Sequence, residues 1–316
     1  MSESIATRAA YGETLVELGK TNPDLVVLDA DLSGATMTKG FAKAYPERFF
    51  NMGIAECNMM GVAAGLATAG KKPFATTFAM FAAGRAYEQV RNSIAYPHLS
   101  VKVVGSHGGL SVGEDGATHQ CIEDLSLMRT IPGMLVCCPC DGAEMRLATA
   151  ALLDYDGPAY LRLGRMAVDT VTDSVPGYRF ELGKGATLRS GSDATVIACG
   201  LMVQEALKAT ETLAGEGLSV RVIDMHTIKP LDGDLVLQAA RETGCIVTSE
   251  EHNIVGGLGA AVCEYLSGAF PVPVVRHGVN DEFGRSGSAK KVLAAYGLTA
   301  DVLCGKVRQA IALKKG

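Results

Sequence analysis

Short runs of β-branched and apolar residues alternate with longer stretches of helical periodicity along the whole chain. That is the pattern of parallel sheets covered by helices. In the first half it predicts a helix over residues 5–20 and strands over 24–29, near 72–77, and over 101–105, 134–138 and 158–163. Helices are predicted over 78–96 and 142–153, with another beginning at Glu56. Two segments break the pattern: a turn at Asp31-Leu32-Ser33-Gly34 and a polar, glycine-rich loop over 106–120. Between residues 167 and 192 the rhythm fades and Pro, Gly, Ser and Asp gather, which marks a domain boundary. Strands over 194–199, 219–224, 245–250 and 272–277 then resume it. The prediction is two doubly wound α/β domains, over 1–170 and 192–316, joined by a linker over 171–191. The second is the smaller and the poorer in clustered ionisable residues.

A chain of 316 residues can bury two cores of ordinary size, and its 37 glycines, 48% hydrophobic content and absent Trp fit an Ala- and Gly-rich α/β protein. A net charge of −5 leaves no electrostatic footprint for nucleic acid or an acidic membrane. Glu3, Arg8, Glu13 and Glu17 rule out a signal peptide at the start, and no apolar run is long enough to span a bilayer. The cytoplasm is the expected compartment. Of nine cysteines, Cys57, Cys121, Cys199, Cys245, Cys263 and Cys304 are scattered singly through apolar segments, where cysteine behaves as a small hydrophobe. Cys137-Cys138-Pro139-Cys140 has a C-x-x-C spacing but ends an apolar strand and has no second pair at metal spacing. A structural role is expected there, and no metal ligands are assigned to this chain.

Three segments concentrate the chemistry. Asn51-Met-Gly-Ile-Ala-Glu56 opens a helix whose remaining residues are mostly small or apolar, among them Gly61, Ala64, Gly65 and Ala67. So little bulk lets another surface approach closely, and an acid in that setting is costly to bury unpaired. Read plainly, Glu56 is a first-turn acid favoured by the helix dipole. The loop from Gly105 to Gln120 gathers two of the six histidines, two acids and five glycines within sixteen residues. It follows a predicted parallel strand, where α/β proteins place ligands. His107 and His119 are candidate acid–base groups and Asp115 a candidate acceptor for substrate hydroxyls. The plain alternative is a surface loop whose histidines satisfy local backbone. Phe78 and Phe81, three apart on the predicted helix, are either core residues or the walls of a slot for an aromatic ring.

Taken together these segments resemble the transketolase family. Gly-Ile-Ala-Glu56 with its small-residue helix is similar to that family's catalytic glutamate motif, and Thr77-Phe-Ala-Met-Phe81 to its aminopyrimidine pocket. His107, Gly-Glu-Asp115-Gly-Ala-Thr-His119-Gln and Tyr160-Leu-Arg-Leu-Gly-Arg165 are similar to its substrate segments. Ile223-Asp-Met-His-Thr-Ile-Lys-Pro230 and Ser249-Glu-Glu-His-Asn253 extend the likeness into the second half. The resemblance implies a pyrimidine-binding thiamine diphosphate fold followed by a transketolase C-terminal-like domain. It also implies transfer of a two-carbon ketol unit from a ketose phosphate to an aldose phosphate. Glu56 would bond the N1′ nitrogen of the cofactor's aminopyrimidine, Phe81 would stack on that ring and Phe78 would close the slot. His107, Arg8 and Arg165 would hold phosphate, Asp115 a donor hydroxyl, and His119 would lie near the reacting carbons.

Two departures qualify the resemblance. No Gly-Asp-Gly triplet with a downstream Asn is present, so the diphosphate and its Mg²⁺ or Ca²⁺ would be bound by a separate N-terminal subunit. The chain is then similar to the C-terminal section of a split transketolase, self-associating through its first domain in a two-plus-two heterotetramer. The second departure is Gly84, where larger family members often carry a pocket tyrosine. Other expectations left open are a 1-deoxyxylulose-phosphate synthase-like subunit, a 2-oxo acid dehydrogenase beta-like subunit, and a non-catalytic assembly subunit. Glu250, Glu251, His252, His226 and His277 are expected to be structural.

Overall fold

The alternating pattern folds, in a computed structural model that describes residues 4–315, into two large sheets flanked by helices and one two-stranded ribbon. The larger sheet has seven strands in the order Thr227–Lys229, Leu135–Cys137, Ala159–Arg162, Lys102–Ser106, Lys72–Phe78, Leu25–Asp29, Phe49–Asn51. Its strands are parallel except Thr227–Lys229, which runs antiparallel to Leu135–Cys137. That edge strand comes from the second half of the chain, so the halves share a sheet as well as a contact. The smaller sheet has the order Val274–Val279, Ile246–Asn253, Ala194–Ala198, Val220–Asp224, Ala186–Arg189, with only the last antiparallel. Central strands such as Leu25–Asp29 and Ala194–Ala198 are buried along their whole length, as strands covered on both faces must be.

The structure departs from the expected elements in several places; the turn expected at residues 31–34, for one, runs into the short helix Ser33–Thr36. Residues Ser4–Ala6, with Ile5 and Ala6 expected to open the first helix, form a strand antiparallel to Ala167–Asp169, and the helix itself runs Thr7–Gly19. The segment read as losing its rhythm is therefore partly strand: Ala167–Asp169 closes that two-stranded ribbon and Ala186–Arg189 edges the smaller sheet. Both strands are too short for an alternation to register. The helix expected over 78–96 begins one residue late, at Ala79, because Phe78 still belongs to the strand Lys72–Phe78. Beyond that strand the chain is π-helical over Met80–Arg85 and Val90–Ala95, with a single α-turn, Tyr87–Gln89, between. Such widened turns are frequent at functional sites.

Cys137, Cys138 and Cys140 are buried free thiols, which agrees with a structural role. Cys140 Sγ lies within 4.8 Å of carboxylate oxygens of Glu144 and Asp224, all three buried. Glu144 already accepts from the Cys140 N–H at 2.6 Å and from the Tyr178 hydroxyl. Burial and the neighbouring Glu144 hold Asp224 well above the usual carboxylate range, which favours its protonated form. His226 stacks on Phe180 at 4.3 Å, and His277 bridges Ser249 Oγ and the Gly297 carbonyl. Both rings lie in the interior, where burial lowers their pKa values. Glu250 accepts from the N–H groups of Leu258 and Gly259, capping the helix Leu258–Ala269. No helix of the described residues is long and apolar enough to cross a membrane.

Candidate active site

Three adjacent parallel strands deliver their carboxyl ends to one crevice. Phe78 pairs in register with Ser106, and Gly105 with Arg162, so Phe78, His107 and the segment Leu163-Gly164-Arg165 emerge side by side. Ligands of open α/β sheets bind at such ends. The first helix reaches the same place: Thr7 Oγ1 accepts from the Gly164 N–H at 2.7 Å and sets Arg8 beside His107.

Phe78 and Phe81 stack with centroids 5.9 Å apart and planes 17° from parallel. They do not share a helical face as the sequence suggested. Phe78 ends a strand and Phe81 lies in the turn after it, so the strand-to-helix corner brings the rings together. His107 stacks on Phe78 at 4.0 Å, and His119 stands edge-on to both phenylalanines at 6.1 and 5.5 Å. The loop is no mobile surface excursion at its base: His107, Leu110, Ser111 and Val112 are buried, and Leu110–Asp115 forms 3₁₀ turns. Its tip differs. Glu114 and Asp115 are exposed, and His119 is half-buried with Nδ1 2.9 Å from Thr118 Oγ1.

Glu56 is the first residue of the helix Glu56–Thr68 and is only 2% exposed. Both its carboxylate oxygens accept from Nη1 of Arg85, at 2.9 and 2.8 Å. The same guanidinium lies 4.5 Å from the centroid of Phe81. The structure thus joins Glu56 to the phenylalanine pair through a residue that the sequence pattern does not single out. Arg85 carries no periodic signal; its one hint is a spacing of four from Phe81, which a π-helical turn distorts. Gly61 and Gly65 of the Glu56 helix face open space, with no atom within 4 Å of the point where a Cβ would sit. At Gly84 the room for a side chain is taken by the Met80 methyl, which would lie 2.3 Å from an added Cβ.

The cations are held in two ways. Arg8 donates to the Ala35 carbonyl at 2.6 Å and lies 3.4 Å from His107 Nε2, while its Nε is buried without a partner. Among the described residues Arg8 has no carboxylate partner. Burial and nearby Arg165 both lower its pKa. Arg165 is paired, donating to Glu114 at 2.9 Å and to the Val112 carbonyl. Burial first, then Arg8, Arg165 and His119, press the pKa of His107 down to about 3. Its Nε2 can only accept from a guanidinium, so the neutral ring carries its proton on Nδ1, 2.8 Å from Ser106 Oγ. Positive charge here belongs to the arginines.

The second half of the chain anchors the loop. Glu251 accepts from the Ser111 N–H at 2.5 Å, and its burial raises its pKa to about 7. Gly109, at φ 83°, lies so close that an added Cβ would come within 2.3 Å of that carboxyl carbon. Below it Arg162 Nε donates to Asp124 at 2.9 Å, and Arg162 Nη2 to the carbonyls of Cys121 and Glu251. Tyr160 adds a hydroxyl to the same Asp124 oxygen at 2.8 Å. Glu251, expected to be structural, thus shapes the base of the site from outside the first sheet.

A buried acid, a pair of stacked rings and a histidine-bearing loop at the carboxyl ends of parallel strands define a pyrimidine-binding domain, here followed by a smaller α/β domain. The family model for the transketolase pyrimidine binding domain matches residues 3–170, and that for the transketolase C-terminal domain matches 183–303. The chain belongs to the transketolase family. It is 48% identical over 303 residues to a putative transketolase C-terminal section of Methanocaldococcus jannaschii, covering 96% of this chain and 95% of that one. It is 45% identical over 296 residues to a 6-deoxy-6-sulfo-D-fructose transketolase subunit of a Clostridium species, covering 93% and 90%. A solved structure described as a split gene transketolase, inactive beta4 tetramer, superposes with a TM-score of 0.91 at 54% identity, covering 98% of this chain and 99% of that one.

Proposed function

We propose that this chain is the catalytic-glutamate subunit of a two-chain transketolase that moves a two-carbon ketol unit from a ketose phosphate to an aldose phosphate. The observation that carries the reading is Glu56, buried at a helix start and joined through one planar group to the ring of Phe81. A guanidinium is flat, with N–H donors at its edge. That its N–H meets Glu56 while its central carbon lies over the Phe81 ring supports an aminopyrimidine in the same place. Bound thiamine diphosphate would supply the carbon that carries the two-carbon unit between sugars. Glu56 would share a proton with the ring nitrogen N1′ through a carboxylate oxygen. Phe81 would hold the ring flat, and Phe78 would fix His107 behind the slot.

Arg8 and Arg165 would take the sugar phosphate. A half-buried guanidinium without a carboxylate partner, beside a second arginine, favours an anion. His107, kept neutral, would add a directed hydrogen bond. Asp115 would accept from a donor hydroxyl, and His119, edge-on to both phenylalanines, would face the reacting carbons. Residues 1–170 form the pyrimidine-binding domain in this reading, 171–191 the linker and 192–316 the C-terminal domain. The diphosphate and Mg²⁺ or Ca²⁺ would be held by an N-terminal subunit in a two-plus-two cytoplasmic heterotetramer, with Gly61 and Gly65 letting a neighbouring surface close over the helix. A relative described as an inactive tetramer of beta chains supports the need for that second chain.

The test combines this chain with its candidate partner, Mg²⁺, thiamine diphosphate and a ketose phosphate–aldose phosphate pair. Turnover should appear only when both chains are present; full activity of the partner alone would overturn the reading. Glu56→Gln should lower the rate by about a hundredfold or more while assembly, followed by gel filtration, is unchanged. Unchanged rates would refute the role given to Glu56.

A further inference from the structure

The contact between Arg85 and Glu56 brings two demands into conflict. The guanidinium satisfies the buried carboxylate through Nη1 and at the same time covers the face of Phe81 at 4.5 Å. These are the edge and the face that the cofactor ring would need. Two planar groups cannot occupy them together. Arg85 is also built to leave: its side chain is 50% exposed, against 2% for Glu56, and it ends the π-helical turn Met80–Arg85 at the rim of the site.

We propose that Arg85 is an internal competitor for the aminopyrimidine, a placeholder that covers Glu56 in the cofactor-free protein and swings out when the ring enters. The proposal rests on the reading of Glu56 as the cofactor's partner. Without Arg85 the recessed carboxylate would lose the donor that satisfies both its oxygens and would rely on solvent alone, a less favourable arrangement. With it, folding and assembly proceed around a satisfied acid, and cofactor affinity is reduced by the strength of the pair. That strength is modest, because half of Arg85 is in water and its charge is screened.

The test is calorimetric titration of the assembled two-chain complex with thiamine diphosphate and, separately, with thiamine, which has the same ring and no diphosphate. Arg85→Met should tighten both ligands by the same factor, about two- to fivefold. In a Glu56→Gln background the substitution should lose most of that effect, since the pair is already weakened. Arg85→Lys keeps the charge, gives up the flat face, and should fall between wild type and Arg85→Met; it serves equally if Arg85→Met does not assemble. Unchanged or weaker binding of both ligands would overturn the proposal. So would a change confined to thiamine diphosphate, which would place Arg85 at the diphosphate end. If the wild-type complex binds neither ligand, the assignment of Glu56 itself fails, and that outcome is distinct from any effect of Arg85.

Discussion

His107 shows how far position can move a residue's chemistry. Its type suggested a group titrating near neutrality, yet the ring is clamped between Phe78 and a guanidinium and takes up a proton only near pH 3. An unfolded chain would protonate the same residue near pH 6.5. Between those values the unfolded state binds the extra proton, so this group makes the folded protein less stable as pH falls and adds nothing above about pH 6.5. His107→Asn should therefore lose less stability than the wild type between about pH 7 and pH 4.5, read from urea midpoints. Equal losses would show that the ring is not held neutral. Glu56, His119 and the two phenylalanines could be picked out from sequence because each stands out against its segment. Arg85 could not: an exposed arginine on a helix is ordinary, and only the distance to a carboxylate 29 residues away gives it meaning.

At the scale of elements, the corner after the strand Lys72–Phe78 and the loop after Lys102–Ser106 make the site together, because Phe78 and Ser106 are register partners. The chain's pattern located both strands within a residue or two. It misread the corner, since Phe78 still belongs to the strand and the six-residue π-helical segments after it are too short to display a period of their own. The loop's density of His, Asp and Gly marked it as chemical, but its rigidity comes from Glu251 on the strand Ile246–Asn253. With a pKa near 7, this carboxyl holds a proton in the folded state that the unfolded chain releases above about pH 4.5. Stability from this group is thus full below about pH 4.5, falls as pH rises to about 7, and is level beyond. Glu251→Gln keeps an acceptor for Ser111 and removes that slope. The variant should gain on the wild type between about pH 5 and pH 8 in the same urea titration, and parallel curves would sink the claim.

For the whole molecule, the decisive feature is that the halves are stitched together. The strand Thr227–Lys229 extends the first sheet, Cys138 N–H donates to the His226 carbonyl at 2.7 Å, and Arg162 ties Asp124 to the Glu251 backbone. Both Arg162 and Asp124 are buried, so removing one leaves the other charged and unpaired. Arg162→Met should cost about 3–5 kcal/mol and melt both halves in a single calorimetric transition. Two separated transitions would show that the halves unfold independently.

By itself the sequence determined the fold class, the rich loop and the buried acid, because hydrophobic period and the cost of a charge among small apolar residues are local properties. Tertiary structure alone decided which groups meet. Arg85 on Glu56, Glu251 beneath the loop and an uncharged His107 all depend on distances between strand ends, and those distances are set by sheet register and by packing across the two halves.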